Sequence, residues 1–81
     1  MGKRFIIYGR ANCPFCIHAI DLCKAQSTEY IFLDYSSKPL ILEEYKEFYE
    51  QNTVPIILSN DMETGETNRI GGYTDLLDCL S

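Results

Sequence analysis

The chain reads as an α/β domain: a four-stranded mixed sheet with helices on both faces, in the order β-α-β-α-β-β-α. Two observations lead there. Short apolar runs, Phe5 to Tyr8, Tyr30 to Leu33 and Thr53 to Leu58, alternate with stretches whose apolar residues recur at helical spacing. A cysteine pair, Cys13-Pro14-Phe15-Cys16, fills the junction between the first run and the first helical stretch.

The elements follow in order. Phe5-Ile6-Ile7-Tyr8 ends at Gly9 and suits a strand buried on both faces at the centre of a sheet. From Pro14 to about Ser27, Cys16, Ala19, Ile20, Leu22 and Cys23 form one broad stripe, leaving His18, Asp21 and Lys24 outside it. Cys23 is therefore expected in the core, and Ile17, also off the stripe, as an exposed apolar contact. Tyr30 to Leu33, closed by Asp34, is expected to be a second buried strand, parallel to the first through a right-handed crossover. Ser36, Ser37 and Pro39 mark a helix start; Ile41, Tyr45, Phe48 and Tyr49 give its apolar face, and Glu43, Glu47 and Glu50 a solvated one. Gln51-Asn52 ends that helix before the third strand, which begins at a proline, where no ladder bond is lost. Ser59 to Asn68 is polar and carries turn signals, so it is expected to be an extended hairpin loop before a brief strand through Arg69 and Ile70. Gly71-Gly72 leads into a last helix over 73–80, with Leu76, Leu77 and Leu80 as its apolar contacts and Cys79 as a small apolar residue.

At 81 residues this is one small domain, spanning 1–81, near the size where a single core only just suffices. Apolar residues at 46% and charged residues at 23% are ordinary for a globular protein. A net charge of −5, with seven scattered basic residues, speaks against a nucleic-acid surface. Met1-Gly2-Lys3-Arg4 runs straight into a strand without a targeting pattern. No apolar run approaches the roughly 20 residues that cross a bilayer. A cytoplasmic monomer without membrane contact is the expectation, and in a reducing compartment a Cys-x-x-Cys pair is more often catalytic or metal-binding than structural.

The junction gives that pair its chemistry. The first turn of a helix has unpaired N–H groups and the positive end of the macrodipole, which stabilise a thiolate. Cys13, at the expected N-cap, is placed to attack; Cys16, one turn along and deeper, is placed to resolve. Pro14 suits the first helical position, where its missing N–H costs nothing.

Two further motifs join the first: Thr53-Val54-Pro55 at a strand start and Gly71-Gly72-Tyr73-Thr74-Asp75 opening the last helix. In this order and spacing the motifs resemble a dithiol glutaredoxin of the compact bacterial or bacteriophage type, with a thioredoxin-like fold, over nearly the whole chain. The resemblance implies Cys13 as nucleophile, Cys16 as resolving thiol, and a cis peptide bond before Pro55 that sets the Val54 backbone beside the cysteines. It implies a glutathione site made by Arg10, Phe15, Thr53, Val54, Pro55, Gly72, Tyr73, Thr74 and Asp75. In that site the N–H groups of Thr74 and Asp75 take the γ-glutamyl carboxylate, the Asp75 side chain pairs with the ammonium, and Arg10 attracts the glycyl carboxylate. Phe15 stands where many members have Tyr, and Ile56 where many have a polar or basic residue, so two expected donors are missing.

The implied activity is glutathione-dependent reduction of protein disulfides and protein–glutathione mixed disulfides, with glutathione as co-substrate, no bound cofactor and no metal. Disulfide-bonded or glutathionylated proteins are the implied partners, ribonucleotide reductase among them. A first alternative is a thioredoxin-like donor to ribonucleotide reductase, recharged by a flavoprotein reductase. A second is a non-enzymatic module, holding zinc on Cys13, Cys16 and His18 or bridging an iron–sulfur cluster between two chains, although a structural zinc site wants four convergent ligands.

Overall fold

The computed structural model describes residues 2–81. Strand β1 (Lys3–Gly9) is followed by α1 (Pro14–Ala25), β2 (Tyr30–Asp34), α2 (Pro39–Phe48), β3 (Ile56–Asp61), β4 (Thr67–Gly71) and α3 (Tyr73–Leu80). The sheet runs β2-β1-β3-β4, with β1 and β2 parallel and the other two pairings antiparallel. The expected mixed sheet and element order are therefore the observed ones.

Alternation along the central strands divides the core in two. Phe5 and Ile7 of β1 and Ile57 of β3 are buried with Ala19 and Cys23 of α1 and Leu76 of α3. On the other face the Tyr8 ring stacks on Tyr45 of α2, centroids 4.6 Å apart, with Tyr49 at 6.0 Å. Helices thus cover both faces, α1 and α3 on one and α2 on the other.

Several expectations need correcting. β2 is an edge strand: none of its residues is fully buried, and Ile31 is exposed. An apolar run alone cannot tell a central strand from an edge strand whose one covered face suffices. In α2 the buried residue is Leu42, while Ile41 and Phe48 are exposed. Tyr45 and Tyr49 keep their expected inward place against Tyr8, and Leu42, one residue round the helix, is buried where Ile41 was expected. Leu77 and Cys79 in α3 also face outward.

The largest change concerns residues 59–68. Ser59, Asn60 and Asp61 belong to β3 and Thr67 and Asn68 to β4, so the loop shrinks to 62–66. Polar residues hold this ladder because they satisfy one another. Arg4 Nε donates to Asn60 Oδ1 at 2.9 Å, and Asn60 Nδ2 donates to Thr67 Oγ1 at 3.0 Å. The turn is closed by the Asp61 carboxylate, which accepts the Glu63 N–H at 2.9 Å, and by Gly65 at φ 80, which needs no Cβ.

Asn60 is buried, so its loss leaves partners without a replacement. Asn60→Ala is expected to cost about 1–2 kcal/mol, read as a lower urea midpoint at unchanged slope. A wild-type midpoint would show that the side chain network contributes nothing.

Candidate active site

β1 and α1 meet at a short loop, residues 10–13. Gly9 accepts the Tyr35 N–H at 2.8 Å, and the Asp34 carboxylate accepts the Ala11 N–H at 3.2 Å, so the loop is tied to the end of β2. Ser36 donates to the same carboxylate through its hydroxyl and its N–H, holding Asp34 below the usual carboxylate range. Cys13 then takes the N-cap of α1 in extended geometry, with Pro14 as the first helical residue. Its N–H donates to the Arg10 carbonyl at 3.2 Å, and its sulfur accepts the Cys16 N–H at 3.4 Å. A sulfur receiving a first-turn N–H is where negative charge is best tolerated.

The two thiols differ in surroundings. Cys13 is 8% exposed and Cys16 fully buried, so only Cys13 is open to an incoming sulfur. Burial, with the hydrogen bond to Cys13, pushes the Cys16 thiol from the ordinary 9.0 up to about 12. Gly9 makes the space for it: a Cβ there would collide with Cys16 Sγ.

Burial of the Cys16 thiol has a consequence for stability. Below about pH 9 the Cys16 thiol is protonated in both folded and unfolded chains, and its burial stabilises fully. Between 9.0 and about 12 the unfolded thiol gives up its proton while the folded one keeps it, so stability falls as pH rises. Tyr8 acts in the same direction, raised by burial and then by its hydrogen bond with Tyr49. Urea midpoints of the reduced protein are expected to drop from pH 9 to 10.5, by up to about 1.4 kcal/mol per pH unit for one such group. A flat profile would mean that Cys16 ionises as freely folded as unfolded.

Beside Cys13 lies a groove of about 380 Å³. Phe15 of α1 stands on one side, 57% exposed. Thr53, Val54 and Pro55 form its floor, with a cis peptide between Val54 and Pro55. The Val54 carbonyl lies 3.9 Å from Cys13 Sγ. Gly72, Tyr73, Thr74 and Asp75 close the other side at the start of α3. The first-turn N–H groups of that helix have no intrahelical acceptors. Asp75 Oδ2 accepts the Gly72 N–H at 2.9 Å, which fixes the carboxylate against the groove. Gly71, at φ 127, permits this, since a Cβ there would run into the Asp75 carboxylate.

All the expected groove residues are therefore brought together except Arg10. Arg10 is exposed on the loop, serves Cys13 through its carbonyl, and does not line the groove. Gly71, part of the third motif though not among the expected site residues, lines it too, and sequence reasoning missed two that do: Gln51 and Arg69. Gln51 was readable only as the end of a helix, and Arg69 only as part of a brief strand; nothing periodic ties either to the cysteines. His18 stays exposed, its ring 6.1 Å from Phe15 and 5.7 Å from Tyr73. Among the described residues no group of three or more His, Cys, Asp or Glu side chains converges as a metal would need, and no helix is long and apolar enough to cross a membrane.

Comparison with known proteins agrees with this geometry. The model of the family described as Glutaredoxin matches residues 5–62. The chain belongs to the glutaredoxin family. As a glutaredoxin it is 31% identical over 77 residues to Glutaredoxin 1 of Escherichia coli strain K12, covering 86% of this chain and 84% of that one. The solved structure of reduced Escherichia coli glutaredoxin superposes with a TM-score of 0.69 at 27% identity, over 95% of this chain and 92% of that one. A dithiolic glutaredoxin of Trypanosoma brucei brucei gives 0.71 at 25% identity, over 95% of this chain and 76% of that one. The fold is thioredoxin-like and the protein is a thiol–disulfide oxidoreductase, from a family of glutathione-dependent disulfide oxidoreductases.

Proposed function

We propose that this glutaredoxin uses glutathione to reduce protein disulfides and protein–glutathione mixed disulfides, with Cys13 as nucleophile and Cys16 as resolving thiol. The observation that carries the reading is the groove that joins Cys13, through the Val54 carbonyl, to the first turn of α3. An extended peptide can lie along the Val54 backbone by strand addition, and a carboxylate can sit on the N–H groups of Thr74 and Asp75. The bound peptide's sulfur then meets Cys13.

The chemistry balances without a further reagent. The Cys13 thiolate attacks one sulfur of a disulfide, forms a new S–S bond, and expels the other sulfur as a thiolate. With a protein disulfide, Cys16 gives up its proton, attacks Cys13 Sγ and releases the reduced substrate. The resulting Cys13–Cys16 disulfide is reduced by two glutathione molecules, which leave as oxidised glutathione. With a glutathionylated protein, the glutathionyl group passes to Cys13 and a second glutathione removes it. The partners are disulfide-bonded or glutathionylated proteins of a reducing cytoplasm, ribonucleotide reductase among the candidates, acted on by the monomer.

Steady-state turnover of a small glutathione mixed disulfide, with glutathione as the sole reductant, tests this. Turnover that saturates in the mixed disulfide is expected. Failure there, together with insulin-disulfide reduction driven by a thioredoxin-type flavoprotein reductase, would move the protein to the thioredoxin-like donors.

A further inference from the structure

Arg69 is the one cationic side chain among the residues lining the groove. β4 carries it there, opposite Leu58 of β3. Its Nη1 donates to Gln51 Oε1 at 3.3 Å, and Gln51 Nε2 donates to the carbonyls of Thr53 at 3.1 Å and Pro55 at 2.9 Å. The Gln51 amide is thus used at both ends, one holding the guanidinium and the other the chain that forms the groove floor. A neutral acceptor occupies one of five guanidinium donors and leaves the positive charge uncompensated. The ion pair found among the described residues is Lys46 with Glu43, so no described carboxylate lies within ion-pair distance of Arg69.

Two other positions could have supplied a cation to the groove. Ile56, directly after Pro55, is fully buried in the core, and Arg10 does not reach the lining. An occupant with two carboxylates can place one on the first-turn N–H groups of α3; the second needs another partner. The geometry points to Arg69, oriented by Gln51, as the specificity-determining residue that binds the glycyl carboxylate of glutathione. This assignment rests on the glutathione reading above. A planar guanidinium can offer a carboxylate two parallel N–H groups, which an ammonium cannot. Because Arg69 is exposed, solvent screening limits its effect to about tenfold in binding.

The test is steady-state kinetics on two substrates, a small glutathione mixed disulfide and the same disulfide with its glycyl carboxylate as the ethyl ester. Wild type, Arg69→Gln, Arg69→Lys, Gln51→Ala and Arg10→Gln are compared. Arg69→Gln is expected to raise KM for the free acid about tenfold with kcat held, and the ester to cost wild type the same factor. The ester should cost Arg69→Gln nothing more, because the interaction is already gone. Arg69→Lys should recover part of the loss, and Gln51→Ala should fall between wild type and Arg69→Gln. A wild-type KM in Arg69→Gln, a further loss on the ester in that variant, or the KM effect appearing in Arg10→Gln instead overturns the assignment alone. A wild type that turns over neither substrate overturns the glutathione reading and the assignment with it.

Discussion

Cys13→Ser will lose turnover with both protein disulfides and glutathione mixed disulfides, by at least about a thousandfold, whereas Cys16→Ser will lose only the first. The asymmetry comes from where the two sulfurs sit. Cys13 caps α1, accepts the Cys16 N–H and lies against the groove, so an incoming disulfide meets it first. A serine hydroxyl in its place stays protonated at neutral pH and cannot form an S–S bond. No other thiol stands in: Cys23 is buried under the sheet, and Cys79 sits in the last turn of α3, away from the groove lining.

Cys16 contributes differently. Fully buried, with its thiol pushed up to about 12, it does not compete as the first attacker. Its task begins once Cys13 is in a mixed disulfide one helical turn away. Transfer of a glutathionyl group needs only Cys13 and free glutathione, so Cys16→Ser should retain it. Intact mass after treatment with oxidised glutathione gives an independent readout: one stable glutathionyl adduct on Cys16→Ser and none at position 13 of Cys13→Ser. Equal loss of both activities in the two variants would sink the division of labour.

Much of this was legible in the chain because the signals are local. An apolar run ending at Gly9, a proline at N1 and a stripe through Cys16, Ala19 and Cys23 fix the strand, the turn and the buried face of α1 without reference to anything distant. Thr53-Val54-Pro55 and Gly72 to Asp75 were likewise visible as contiguous motifs. What escaped depends on contacts between separated segments. Ser59 to Asp61 are strand because Arg4 and Thr67 satisfy Asn60, which composition reads as loop. Leu42 faces inward because a tyrosine from β1 sets the docking line of α2. Gln51 and Arg69 reach the groove from the segment after α2 and from an edge strand, 18 residues apart, and meet only in three dimensions.

Gly9→Ala will show how closely the sheet is fitted to the cysteine pair. The backbone at Gly9 is not in the left-handed region, so the substitution meets no conformational strain. The obstacle is space. The added methyl would overlap Cys16 Sγ and touch Cys16 Cβ and Phe32 Cε1, each at 3.4 Å. β1 cannot retreat, because it is paired to β2 on one side and β3 on the other, with Gly9 opposite Asp34. Either the Cys16 side chain turns away or the start of α1 lifts, and both move the resolving sulfur relative to Cys13. Overpacking of this kind costs about 1–3 kcal/mol, and a site walled by a central strand belongs at the upper end. Urea unfolding of Gly9→Ala should show that loss. Its dithiol-dependent reduction of protein disulfides should fall more than its transfer of glutathionyl groups, which leaves Cys16 idle. The decisive comparison is the double variant. Cys16→Ala removes the sulfur that the methyl strikes, so Gly9→Ala should cost far less in that background than in the wild type, a coupling of about 1 kcal/mol or more. Additive losses would place the origin of the damage elsewhere in β1, and the glycine would then have no special relation to the resolving thiol.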